Sequence, residues 1–418
     1  MVPGSTSIST RRRLGETLLA GYPLVLANPP FRALFLVLLL GGTAFAMAMA
    51  YTSVWASETF SIGPRDVAMV FVVSGLAGAI CNPLLGLLSD RLGRRRQLIV
   101  GQLAVVSLAY LGYTQVADFA VALGLVAFAS FSIMGLALAM VDDLVGTMPA
   151  LEKRDASRIV AAERTAWSIG VILGPVIAAA IVTATGDTQA VFAAAALIQV
   201  GTIAVVCMAP GKPTTRPRVP RGDGSAKADP SSPLRPVAVG CLFLAIVLVM
   251  LPTQTRTMYL PLFVTTVLGE PPGMVGPLFT VTAVTAVLTM PYVGAAADRF
   301  GAQRVLYFGA LVGFAYCALQ TVSTTYPQIL AGQLLVGFGI ALWSTAALIY
   351  LQQLMSGRAG AVGGLYVAAS QVTPLVGGLL LGPIAEVSGI PATFAATAGL
   401  CLLALLLLAM AHRALAAR

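Results

Sequence analysis

The sequence predicts an all-α integral membrane protein: twelve membrane-spanning helices arranged as two six-helix, pseudo-symmetric halves. Three observations carry this prediction. Apolar runs of membrane-spanning length recur along the chain, charged residues are scarce, and two unrelated sequence patterns repeat at the same offset of 208 residues.

Of 418 residues, 58% are hydrophobic and only 10% charged, and the mean hydropathy is +0.90. A soluble domain carries about 25% charged residues, so most of this chain must face lipid or other apolar segments. Helices and closed barrels are the structures that satisfy their backbones inside a bilayer. The runs here reach about 20 residues, where a barrel shows alternating stretches of about ten. The expected spans begin near Ala33, Val67, Gln97, Phe119, Arg158, Ala190, Val237, Met274, Arg304, Gln328, Gly360 and Ala392. The first is too long for the apolar core of a cleaved signal, and eleven more follow it.

The net charge of +9 does not point to nucleic acid, because its placement follows topology. With a cytoplasmic N-terminus, 22 of the 25 basic residues fall in inside segments, among them Arg11–Arg13, Arg94–Arg96, Lys212, Arg235, Arg358 and Arg418. Arg65 alone falls in an outside loop, and Arg164 and Arg256 lie within spans. The positive-inside rule then places both termini in the cytoplasm. The five cysteines sit in or at the ends of apolar spans, which suits small packing residues rather than a disulfide framework.

One long stretch breaks the hydrophobic pattern. Residues 211–236 are rich in Pro, Gly, Ser and basic side chains and read as a cytoplasmic linker between an N-terminal half, 1–210, and a C-terminal half, 237–418. After the second span the chain reads GLLSDRLG from Gly86, with Asp90, Arg91 and Gly93. After the eighth it reads GAAADRFG from Gly294, with Asp298, Arg299 and Gly301. Independently, Gly170, Gly174 and Pro175 of the fifth span repeat as Gly378, Gly382 and Pro383 of the eleventh. Two patterns in one register indicate internal duplication, and parallel repeats around a central cavity are a transporter architecture.

Residues 86–98 (GLLSDRLGRRRQL) resemble the major facilitator signature between the second and third helices, nearly position for position. The resemblance implies a conformational latch made by Asp90 and Arg94, with Arg91 and Gly93 beside them. Asp298 and Arg299 form a weaker second copy, since Ala302 and Gln303 stand where basic residues would be. The Gly-x-x-x-Gly-Pro pattern allows close helix approach and a bend. It looks like the motif of exporting members, although generic packing explains it equally well. Further words resemble bacterial sugar efflux transporters over essentially the whole chain: Arg164 with Trp167-Ser168, Tyr259-Leu-Pro261-Leu-Phe263, and the run from Tyr350 to Gly360 followed by Gly364-Leu-Tyr366.

Charged groups inside a bilayer are costly and by default functional. Arg164 lies roughly 10 Å along the fifth helix, at 1.5 Å per residue, beside Glu163 and level with Asp142 and Asp143. The expected arrangement is Arg164 paired with one of these aspartates, either as a pair that breaks between states or as a static bridge. Glu58 and Glu386 are expected to meet water, and His412 to lie at the interface, so a proton relay would use carboxylates. A sugar site needs planar donors and acceptors and aromatic faces. Tyr51, Asn82, Trp167, Gln254, Arg256, Tyr259, Tyr292, Trp343 and Gln371 are the candidates, each also readable as packing or an interfacial residue.

No nucleotide-binding lysine motif, metal-spaced Cys/His cluster or catalytic triad is present in the sequence, so no cofactor, metal or enzyme activity is expected. The resemblance implies a monomeric, proton-coupled exporter of sugars or sugar-like molecules in the cytoplasmic membrane, surrounded by lipid and binding no nucleic acid. A multidrug/proton antiporter is the alternative within transport. Many such antiporters carry an arginine in the fourth helix, and 119–144 holds none. A non-transporting sensor or scaffold is the alternative outside it.

Overall fold

A computed structural model describes residues 21–131, 133–146, 153–209, 236–354 and 359–416. The expected linker, apart from Pro236, lies outside them, as do Arg11–Arg13, Arg358 and Arg418. A short helix, Gly21–Ala27, leads into the membrane helices. The first half holds α1 (Pro29–Phe60), α2 (Pro64–Leu92), α3 (Arg95–Tyr113), α4 in two pieces (Phe119–Ala129 and Ile133–Gly146), α5 (Lys153–Thr185) and α6 (Gln189–Met208). The second holds α7 (Pro236–Leu262), α8 (Val275–Phe300), α9 (Ala302–Val322), α10 (Tyr326–Leu354), α11 (Ala359–Ser388) and α12 (Ile390–Ala416). Eleven of these are long and apolar enough to cross a membrane. The remaining one, α3, spans 19 residues, and its polar first turn of Arg95, Arg96 and Gln97 lowers its hydropathy.

Local chemistry sets the helix ends. Pro29 and Pro64 open α1 and α2, where the missing N–H costs nothing. Asp118 caps α4 by accepting from the Val121 N–H at 3.0 Å. Gly93 closes α2 at φ 62, its N–H on the Ser89 carbonyl. A side chain there would strain the left-handed turn, so the loop to α3 can be this short only with glycine. Prolines inside α2, α5, α7, α8 and α11 remove backbone donors in mid-helix.

Within the first half α1 packs on α5 and α6, and α3 on α6 and α4. In the second, α7 packs on α12 and α11, and α10 on α8 and α9. Small residues make the contacts between the halves. A Cβ at Gly378 of α11 would sit 2.5 Å from Val72 Cγ2 and 2.8 Å from the Ala68 carbonyl of α2. The pseudo-symmetric seam joins α8 to α5, where a Cβ at Gly276 would overlap the Pro175 carbonyl and the Ala179 methyl 2.5 Å away. Ala68 and Gly276 are themselves 208 residues apart. Between the seams the Ser53 hydroxyl of α1 donates to the Thr257 carbonyl of α7 at 3.2 Å.

All these joints lie toward one end of the bundle, where α2 and α8 begin and α5 and α11 finish. At the opposite, basic end, a Cβ at Gly86, Gly93, Gly294 or Gly301 would meet open space. Among the described residues the halves therefore touch at the far end, and these four glycines meet no neighbour at the basic end.

Candidate functional site

The site is the cleft between the halves, closed by the seams at the far end and open at the basic end among the described residues. Helix α5 supplies its most distinctive pair. Consecutive helical residues point about 100° apart, so Glu163 and Arg164 face different surroundings. Glu163 is fully buried. Its helix neighbours Ile159, Ala162 and Ala166 pack with Phe31, Leu34 and Leu38 of α1 and Ala137 and Val141 of α4. Neither Glu163 carboxylate oxygen has a hydrogen-bond partner among the described residues.

Arg164 is exposed. It lies eleven residues, about three turns, before Pro175, and fifteen before Ala179. Pro175 and Ala179 face α8 at Gly276, so Arg164 shares the face turned toward the second half, at the level where the cleft is open. Its expected bridge to Asp142 or Asp143 is not formed. Asp143 pairs with Arg95 Nη1 at 3.0 Å, and Asp142 is exposed. Arg95 claims the aspartate because it opens α3 beside the end of α4, where its guanidinium also donates to the Ala139 carbonyl.

Arg95 is also the partner of Asp90, at 3.2 Å. Arg94, Arg91, Asp298 and Arg299 are exposed, and Arg299 lies over the Phe300 ring at 5.2 Å. The sequence signature thus located the loop, but the guanidinium that ties it to α4 belongs to Arg95. At the far end, Arg65 Nη1 and Glu386 Oε2 bridge α2 and α11 at 3.1 Å, and Glu58 accepts from the Thr188 hydroxyl at 2.8 Å. Sequence reading gave Glu58 and Glu386 only to water. The 208-residue register offers no signal for the Arg65–Glu386 pair, since Arg65 corresponds to Gly273.

The two Gly-x-x-x-Gly-Pro copies serve different neighbours. Gly170 and Gly174 admit α1, with the Thr43 N–H group 2.7 Å and the Thr43 carbonyl 2.5 Å from the positions their Cβ atoms would take. Gly378 and Gly382 face α2 across the halves. Pro383, like Pro175, sits inside its helix.

Of the expected sugar contacts, several are drawn into the packing. Tyr51 and Tyr259 are fully buried, with hydroxyls unpartnered among the described residues. Arg256 is 2% exposed. Its Nε donates to Gln333 Oε1 at 2.9 Å and its guanidinium stacks 3.9 Å from the Phe279 centroid. Gln333 also accepts from the Thr282 hydroxyl at 3.1 Å. Arg256 is thus part of the interior of the second half rather than of an open wall. Gln371 packs at Gly78 in the α2–α11 seam. Asn82, Gln254 and Trp343 are half-buried, and Tyr292 is 71% exposed.

Trp167 lies beside the break in α4. With Phe45, Gln102, Tyr110, Phe131 and Gln199 it lines a small pocket inside the first half. The Ser130 hydroxyl donates to the Val126 carbonyl at 2.6 Å and lies 2.9 Å from Ser74 Oγ. Non-helical backbone at membrane depth is tolerated where it lines such a cavity.

The model of the Major Facilitator Superfamily matches residues 33–276 and again 242–416. The chain belongs to this superfamily. It is a multi-pass membrane protein and a secondary transporter, not an enzyme. It is 24% identical over 356 residues to "Sugar efflux transporter A" of Dickeya chrysanthemi, covering 85% of this chain and 88% of that one. It is also 24% identical over 388 residues to a "Putative sugar efflux transporter" of Deinococcus radiodurans, covering 90% and 96%. Among solved structures it is similar to the nucleoside transporter NupG, with a TM-score of 0.71 at 11% identity, covering 91% of this chain and 99% of that one. It is also similar to a bacterial homologue of Spinster in an inward-facing, occupied conformation, with a TM-score of 0.69 at 13% identity, covering 91% and 96%.

Proposed function

We propose that this major facilitator exports sugars or sugar-like small molecules across the cytoplasmic membrane by alternating access, coupled to protons. The observation that carries the reading is a cleft closed at one end by glycine seams, with no described residue beside Gly86, Gly93, Gly294 or Gly301 at the other. Whole-chain similarity to proteins named as sugar efflux transporters supports the substrate class. The charge bias supports cytoplasmic termini; the basic end is then the inside and this is the inward-open state. The Asp90–Arg95–Asp143 cluster braces α2, α3 and α4 at the inner end of the first half, and Arg65–Glu386 acts as the outer latch between the halves.

Glu163 is the proposed coupling group. A carboxylate without a partner in the membrane interior is an uncompensated charge, whereas a protonated carboxyl is not. Movement of α5 against α1 and α4 would change that environment and release the proton. The carrier functions as a monomer in lipid, with Asn82, Gln254 and Trp343 offering polar and aromatic contacts along the cleft. Counterflow in proteoliposomes with mono- and disaccharides and cationic dyes tests the reading. Exchange of a sugar supports it; exchange of dyes alone favours the multidrug alternative.

A further inference from the structure

Among the described residues three charged side chains lie deeper than about one and a half turns from any helix end: Glu163 and Arg164 on α5, and Arg256 on α7. Their balance is positive whether or not Glu163 holds a proton. Among the described residues no carboxylate pairs with either arginine, and Asp142 is exposed toward the basic end. The second half has three acidic residues, Glu270, Asp298 and Glu386. Glu270 stands in the far-end loop, Asp298 is exposed at the basic end, and Glu386 bridges to Arg65. Arg256 is therefore met by an amide oxygen and a ring face, but by no carboxylate among the described residues. In the first half, Asp143 is held by Arg95, and Arg164 forms no ion pair among the described residues while facing the cleft.

From this charge arrangement we infer that the transported molecule is an anion, a sugar bearing a carboxylate or a phosphate, and that Arg164 is the cation that meets it. The inference rests on the sugar-transport reading and narrows it. A cleft walled by low-dielectric helices focuses the field of its fixed charges, and here that field attracts anions and repels cations. Arg164 offers a planar donor fork matched to both anionic groups. Arg256, buried and already bonded through Nε, adds to the field without reaching the substrate. A cationic drug would enter against the same field.

The test uses the full chain in proteoliposomes and four labelled probes: a neutral hexose, a hexuronate, a hexose phosphate and a cationic dye. The expected result is counterflow of at least one anionic sugar roughly tenfold or more faster than the neutral hexose. Arg164→Gln should remove that advantage and Arg164→Lys keep part of it, in protein that remains monodisperse on purification. Equal or faster exchange of the neutral hexose overturns the charge inference and leaves sugar transport standing. Exchange of the dye alone overturns both. An undiminished anion preference in monodisperse Arg164→Gln removes Arg164 from the role. Should Arg164→Gln fail to fold, the wild-type probe series still decides the charge, and Arg164→Lys, expected to exchange the anion more slowly than wild type, decides the residue.

Discussion

Single side chains in this protein do their work through where their partners are. Gln333 is the hub of the second half's interior, accepting from both Arg256 Nε and the Thr282 hydroxyl. Gln333→Leu would leave the buried Arg256 Nε–H short of an acceptor, at about 1–3 kcal/mol, while the Thr282 hydroxyl keeps the Leu278 carbonyl. We expect a clear drop in the melting temperature of the detergent-solubilised protein, larger than for Gln371→Leu in the half-buried seam. Glu163 makes the opposite kind of prediction. Its carboxyl has no hydrogen bond to lose among the described residues, so Glu163→Gln should fold normally and retain substrate counterflow. It should lose accumulation driven by an imposed pH gradient, measured in the same vesicles. Full gradient-driven accumulation in Glu163→Gln would exclude it as the coupling group.

At the scale of helices, the seams decide which state is held. The α2–α11 contact leaves no room for a side chain at Gly378, and the α5–α8 contact leaves none at Gly276. Gly378→Val or Gly276→Val should therefore pry the far end apart. The expected readout is faster thiol labelling of a cysteine placed at that mouth, with little change in folding. The Arg65–Glu386 bridge is half-exposed, at 60% and 52%, so it contributes on the order of 0.2–1 kcal/mol. Arg65→Gln should shift the balance of states by no more than about fivefold, and Arg65→Glu with Glu386→Arg should keep the wild-type balance.

Much of this was legible in the chain. Apolar runs and the positive-inside bias give the helices, and the 208-residue register anticipates the matching of Ala68 with Gly276 across two seams. Pairing was harder to read, for a physical reason. Sequence shows which arginines share a loop, but only the tertiary approach of α3 to α4 shows that Arg95 reaches Asp143 while Arg164 is left to the cleft. The same limit hid Arg256. Its helical position suggested a cavity wall, yet the rotation of α7 turns it onto Phe279 and Gln333.

For the whole molecule, a sugar carrier must exchange the far-end contacts for basic-end contacts, whereas a static sensor need not. Spin labels can follow both ends. One pair, replacing Asp66 and Val387, spans the far end beside the Arg65–Glu386 bridge; the other, replacing Leu92 and Phe300, spans the basic end, and all four native residues are exposed. Distances from each pair would be measured in lipid, with and without a saturating sugar that the same preparation exchanges. Alternating access predicts reciprocal change, with the far-end distribution lengthening as the basic-end one shortens. Two distributions unmoved by an exchanged sugar, or moving in the same direction, would contradict it.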